Sequence, residues 1–161
     1  MMIKSLLKFL TVVFLLGFAG RYVWNHNSVP KLPFFEEKLK DEAGKSHAAA
    51  DWKGKYILVS YFQSWCGDCG RELPSVISLQ QNIGKDKLEV VLISDEPFEK
   101  INKFKNHFKA DFVFYQSEKK LKNIGINVFP TTYLLDPKGN IIASKLEGFD
   151  WNSDEIKKLM N

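Results

Sequence analysis

Between residues 56 and 146 the chain alternates short unbroken apolar runs with segments whose apolar residues recur every three or four positions. Tyr56–Phe62 (YILVSYF) and Leu88–Ser94 (LEVVLIS) are bounded by turn residues and rich in β-formers, the pattern of strands covered on both faces. Phe112–Tyr115 and Thr131–Leu135 read as a third and a fourth strand. Leu73, Val76, Ile77 and Gln80 give helical spacing from Cys69 to near Gly84, with Pro74 expected to kink that helix. Ile101, Phe104 and Phe108 mark a second helix over Glu99–Lys109, and Glu118–Asn123 a helical turn ending near Gly125. Asp136-Pro137-Lys138-Gly139-Asn140 is a strong turn signal, from which Ile141–Leu146 pairs back as an antiparallel partner. Ser153–Met160 closes as a helix, with Ser153 or Asn152 as its cap and Glu155 in its first turn. At the other end, turn-like Asp41–Lys45 and Trp52–Lys55 frame a weak strand or hairpin. This alternation predicts an α/β fold, a mixed sheet with helices on both faces.

A second pattern lies ahead of that domain. Lys4 and Lys8 precede an uncharged apolar run from Phe9 to Gly20, followed by Arg21, Tyr22 and Trp24. Residues 1–24 are read as an export or anchoring signal, residues 25–32 as a linker and residues 33–161 as the folded domain. The apolar run has the length of a signal-peptide core, and Gly17-Phe18-Ala19 offers small residues for cleavage. A retained anchor is also open, with the lysines and Arg21 snorkelling to the interfaces and the aromatics in the far headgroup belt. Either reading keeps the amino terminus inside and puts the domain outside the cytoplasmic membrane. The same segment explains the charge. Of 23 basic residues against 19 acidic ones, Lys4, Lys8 and Arg21 fall in this acid-free stretch, leaving 20 against 19. The domain is close to neutral with no basic cluster, which argues against a nucleic-acid partner.

Both cysteines stand in Ser64-Trp65-Cys66-Gly67-Asp68-Cys69-Gly70, between a strand and a helix. Four readings compete. A structural staple would close a loop too short to remove much unfolded-state entropy. A structural zinc needs four ligands, and His26, His47 and His107 are single and scattered. Two unrelated buried thiols would oxidise in an exported protein. Redox exchange fits the position best, since the first sulfur at a helix amino terminus gains from unpaired N–H groups and the helix dipole. Cys66 is then an exposed nucleophile, and Cys69, one turn inside the helix, resolves the mixed disulfide. Trp65 is either a docking rim or a core residue.

These residues resemble the thioredoxin superfamily, and within it the membrane-anchored extracytoplasmic thiol-disulfide oxidoreductases of the TlpA/ResA type. The resemblance runs from about Leu32 to the carboxyl terminus, through DEAGKSHAAADWKGK, YILVSYFQSWCGDCGRELPSV, VFPTTYLLDPKGNII and Gly148. It implies a thioredoxin-like three-layer sandwich, a central mixed β-sheet flanked by helices, with an amino-terminal β-hairpin extension. It further implies a cis Phe129–Pro130 bond against the active-site disulfide, with Phe129, Pro130 and Thr131 binding the substrate segment. Catalysis falls to Cys66 and Cys69, supported by Trp65, Gly67, Asp68, Glu72 and Pro130. No metal or cofactor is implied. The partners implied are disulfide-containing client proteins, such as an apocytochrome c in cytochrome c biogenesis, and a membrane electron donor of the DsbD or CcdA kind.

Two departures from that pattern carry chemistry. Asp68 stands where the family usually has proline, and its carboxylate should oppose thiolate formation at Cys66, biasing the couple towards a reductant, with Arg71 opposing the shift. The alternative is an Asp68 that points to solvent and contributes little. Ser60 stands where thioredoxin carries a buried aspartate, so a proton acceptor for Cys69 must come from elsewhere. Glu72, with its companion Pro74, matches a glutamate of the TlpA/ResA type and either tunes the sulfurs or is a surface acid. Two other classes stay open. A peroxiredoxin-like peroxidase would need a Thr-x-x-Cys loop that Ser64-Trp65-Cys66 does not match, and a non-enzymatic binding module could use the Pro130 groove without turnover.

Overall fold

The computed structural model describes residues 30–160, together with Val13 and Gly17. The apolar amino-terminal segment, with its signal or anchor reading, otherwise lies outside the described residues, as do His26 and most of the linker. No helix among the described residues is long and apolar enough to cross a membrane. Among the described residues seven strands form one sheet: β1 (Leu39–Lys40), β2 (Ser46–His47), β3 (Tyr56–Tyr61), β4 (Leu88–Ser94), β5 (Phe114–Ser117), β6 (Thr131–Leu135) and β7 (Ile141–Leu146). Their spatial order is β2-β1-β5-β4-β3-β6-β7. The centre, β5-β4-β3, is parallel, while β6, β7 and the amino-terminal hairpin run antiparallel to their neighbours. Among residues 30–160 the α-helices are α1 (Gly67–Ile83), α2 (Phe98–His107) and α3 (Asp154–Lys158).

Alternation along the strands sorts the core into two. Leu58, Phe62, Leu92 and Leu134 face a cluster built with Leu73, Val76 and Leu79 of α1, Ile101 and Phe104 of α2, and Ile156 of α3. Ile57, Val59, Val91, Ile93 and Tyr133 face a second cluster. The thioredoxin-like three-layer arrangement holds, and the second outer layer consists of 3₁₀ turns at Phe34–Glu36, Ala49–Trp52 and Leu121–Ile124. Burial on both sides makes β3, β4 and β6 near-continuous apolar runs. The amino-terminal hairpin is pinned to β5 by buried Glu37, which accepts hydrogen bonds from Tyr61 Oη and Ser117 Oγ at 3.1 Å each.

Four local expectations need correction. The third strand lies at Phe114–Ser117, two residues later than Phe112–Tyr115, because Leu92↔Phe114 and Leu39↔Ser117 set its register while Phe112 fills the core from a loop. The second helix stops at His107, two residues short, and Lys109 takes a positive φ of 50°. The helical turn before Gly125 is a 3₁₀ turn at Leu121–Ile124. The last helix shortens to Asp154–Lys158, and the Ser153 hydroxyl makes no cap bond. Pro74 sits inside α1 without ending it.

The carboxyl-terminal segment is tied to α1 through Ser75. Its Oγ accepts the Trp151 N–H at 3.1 Å and lies 2.8 Å and 3.2 Å from the carbonyls of Glu72 and Phe149. Ser75→Ala strands that buried N–H, so a loss of about 1–2 kcal/mol is expected. Urea unfolding checks it: the midpoint should fall at constant slope, and an unchanged midpoint would mean that water replaces the hydroxyl.

Candidate active site

The chain leaves the carboxyl end of β3, an interior strand of the sheet, and turns into α1, and this turn carries the cysteines. Its path is fixed from β4. Gln63 Nε2 donates to Asp95 Oδ1 at 2.7 Å, and Ser64 donates its backbone N–H to Glu96 Oε2 at 2.6 Å and its hydroxyl to Glu96 Oε1 at 3.0 Å. Burial pushes the Asp95 carboxyl up, but bonds from Gln63 and the Leu121 N–H, with Lys120 alongside, outweigh that and hold it below the usual range. These acids were missed in the sequence reading. The signal was present, however: two consecutive acids in Ser94-Asp95-Glu96-Pro97 leave a buried strand at the end where sites form.

Cys66 is the amino-terminal cap of α1, and its Sγ accepts the Cys69 N–H at 3.1 Å. The two cysteines are joined as a disulfide. Cys66 was expected to be exposed; it is 8% exposed against 4% for Cys69, because the Phe129 carbonyl oxygen lies 3.3 Å from its sulfur. The Phe129–Pro130 bond is cis. Trp65, 71% exposed, stands over this corner edge-on to Phe129 at 6.0 Å, the placement of a rim rather than of a core residue. Thr131 is fully buried, with strand partners Tyr61 and Leu146 on its two sides and its hydroxyl on the Val128 carbonyl at 2.7 Å. Phe129 is therefore the member of the Phe129-Pro130-Thr131 trio that meets both the sulfur and the rim. Gly67 opens α1 with only ordinary contact to Arg71 where a Cβ would stand.

Asp68, in the first turn, forms an ion pair with Arg71 and packs beside Gly148. The Arg71 guanidinium thus offsets the negative charge next to the sulfurs. Glu72 lies deeper: it is 3% exposed, not a surface acid. Thr132 Oγ1 donates to Glu72 Oε1 at 2.6 Å and accepts from Ser60 Oγ at 2.8 Å. Trp151 Nε1 faces the carboxylate, but neither it nor Oε2 completes a hydrogen bond. Burial, with a contribution from Asp68, pushes the Glu72 carboxyl up to about 7 against the bonds that favour its charge. Cys69, Glu72 and Ser60 line one small internal cavity of ≈ 10 Å³, about the least that admits a single water. α1 thus places a buried carboxylate one helical turn beyond Cys69, on the cavity that both residues line. Thr132 and Trp151 were not singled out from the sequence, because a threonine in a strand and a tryptophan among polar loop residues carry no local sign of the distant carboxylate they meet.

Residues 30–144 match the pattern of the AhpC/TSA family. The chain belongs to this family. The thioredoxin-like protein YneN of Bacillus subtilis (strain 168) is 30% identical over 152 residues, covering 87% of this chain and 88% of YneN. Thiol-disulfide oxidoreductase ResA of Geobacillus thermodenitrificans (strain NG80-2) is 29% identical over 106 residues, which is 64% of this chain. That match spans 61% of the length of ResA. Among solved structures, the thioredoxin domain of a thiol-disulfide oxidoreductase from Bacteroides vulgatus superposes with a TM-score of 0.68 at 26% identity, covering 77% of this chain and 92% of that one.

Proposed function

We propose that this AhpC/TSA-family chain is an extracytoplasmic thiol-disulfide oxidoreductase that reduces disulfides in client proteins. The observation that carries the reading is the arrangement around Cys66: a helix-capping sulfur beside the Phe129 carbonyl and the cis Pro130, backed by a buried carboxyl that titrates near neutrality. The relatives' names point the same way. The location outside the membrane, and tethering to it, rest on the charge and apolar pattern of residues 1–24.

In the reduced form the α1 amino terminus favours the Cys66 thiolate. It attacks one sulfur of the client disulfide, forming the Cys66–client mixed disulfide and releasing the other client sulfur as a thiolate, which takes a proton from solvent. Cys69 then gives its proton to Glu72, directly or through one water in the shared cavity, and its thiolate attacks Cys66 Sγ. The Cys66–Cys69 bond forms, the client–Cys66 bond breaks, and the second client thiolate leaves. Two electrons have passed to the client. Returning them requires a dithiol donor, for which a membrane donor of the DsbD or CcdA kind is the expected class, with an apocytochrome c as one client class.

Equilibration with glutathione tests both activity and direction. The protein should come to equilibrium with a strongly reducing couple, and Asp68→Asn should make it more oxidising by a few-fold, since removing the charge favours the thiolate while Arg71 and solvent already screen much of it. Failure to exchange at all would remove the oxidoreductase reading. A wild-type couple as oxidising as a dedicated disulfide donor would reverse the direction.

A further inference from the structure

An open cavity of ≈ 700 Å³ adjoins the reacting sulfur on the side of α2. Its floor is apolar: Phe104 and Phe108 pack at 4.9 Å and continue to the exposed face of Trp65. Gly70 permits this floor, since a Cβ there would stand 2.7 Å from the Phe108 ring. Its rim is cationic. Arg71, Lys100, Lys103 and His107 line it, and no carboxylate is among the lining residues. The acids that pair with these cations, Asp68, Glu96 and Glu99, lie outside the lining. The Arg71–Asp68 and Lys103–Glu99 pairs are exposed and therefore weak, and the Lys100 ammonium is itself exposed and 3.8 Å from the buried Glu96 carboxylate, so an incoming carboxylate can compete for each cation.

Phe129, Pro130 and Thr131 are absent from this lining, so Cys66 stands between two separate surfaces. Backbone pairing at Phe129–Pro130 would hold one flank of a client cysteine. The other flank has to leave across the cavity. A volume of this size takes several side chains rather than a single small group.

Building on the oxidoreductase reading, we propose that the cavity between α1 and α2 binds the client segment next to the target cysteine, and that it selects segments combining acidic side chains with an apolar one. The carboxylates meet Lys100, Lys103 and Arg71, and the apolar side chain lies on Phe104 and Phe108. The client class is therefore a protein whose disulfide is flanked by acidic and apolar residues.

Cysteine peptides carrying a neutral 2-thiopyridyl disulfide test this, with Glu-Leu-Glu or Lys-Leu-Lys on either flank. Each rate of reduction by the reduced protein is divided by that protein's own rate on bis(2-hydroxyethyl) disulfide. The acidic peptide should react about tenfold faster than the basic one at low salt. The ratio should shrink as salt is added and fall below about threefold in Lys100→Gln/Lys103→Gln. Equal rates for the two peptides, or a preference that survives the double substitution, would overturn the proposal. So would a charge dependence seen with glutathione disulfide and not with the peptides, because the occupant would then be a small anionic thiol. Loss of reduction of bis(2-hydroxyethyl) disulfide itself would instead count against the exchange chemistry.

Discussion

Cys69→Ser will hold clients covalently on Cys66. The first attack needs only Cys66 and the α1 amino terminus, both intact in this variant, whereas the second needs a sulfur at position 69. The mixed disulfide then persists until an outside thiol resolves it. Non-reducing electrophoresis of intact cells expressing the variant should show adducts that collapse on reduction, and Cys66→Ser/Cys69→Ser should show none. Catalytic turnover should disappear in both. If Cys69→Ser accumulates no adduct while the unchanged protein reduces disulfides, then Cys66 is not the attacking sulfur and the order of the two steps must be reassigned.

Glu72→Gln is expected to act in opposite directions on stability and on rate. The folded carboxyl titrates near 7, against an ordinary value of 4.5. Between those two values the native state binds more protons than the unfolded chain, so stability is greatest below the lower one and falls as pH rises towards and through 7. Above neutrality, burying the charge costs about 3 kcal/mol by this linkage. Glutamine keeps an acceptor for the Thr132 hydroxyl and carries no charge. Glu72→Gln should therefore match the wild type in unfolding experiments near pH 4 and exceed it by about 2–3 kcal/mol at pH 8. Its resolving step should slow by about 10²-fold or more, the ordinary contribution of a general base, and lose the rise with pH centred near 7. Stopped-flow release of client thiol from a preformed Cys66 mixed disulfide measures this. A variant that is slower but keeps the pH inflection would leave Glu72 a structural role only.

Most of this architecture was legible because the strands are covered on both faces, which turns β3, β4 and β6 into apolar runs visible without alignment. Turn chemistry did the same for the β6–β7 hairpin: Asp136 accepts bonds from the backbone of Lys138 and Asn140 and from the Asn140 side chain. The β5 register was not legible. Phe112 and Phe114 are equally apolar, and only pairing with Leu92 and Leu39 decides between them. At the site, Cys66 and Cys69 declared themselves by spacing and position, and the family resemblance pointed to Glu72 without settling whether it was buried. Its burial depends on α1 packing against β6 and the Trp151 loop, contacts more than 50 residues apart in sequence. The shielding of Cys66 was missed for a related reason, since the group that covers it comes from the Phe129 loop.

The anchoring of Ser64 to Glu96 bears on the speed of exchange. The chain entering the cysteine turn is held by β4, through contacts that involve neither sulfur. The contacts that do involve the Cys66 sulfur reach the Cys69 N–H in the first turn of α1 and the Phe129 carbonyl. The entry to the cysteine turn is thereby positioned independently of the bond that is exchanged, so the attacking thiolate starts from a place that β3 and the Asp95–Glu96 turn define.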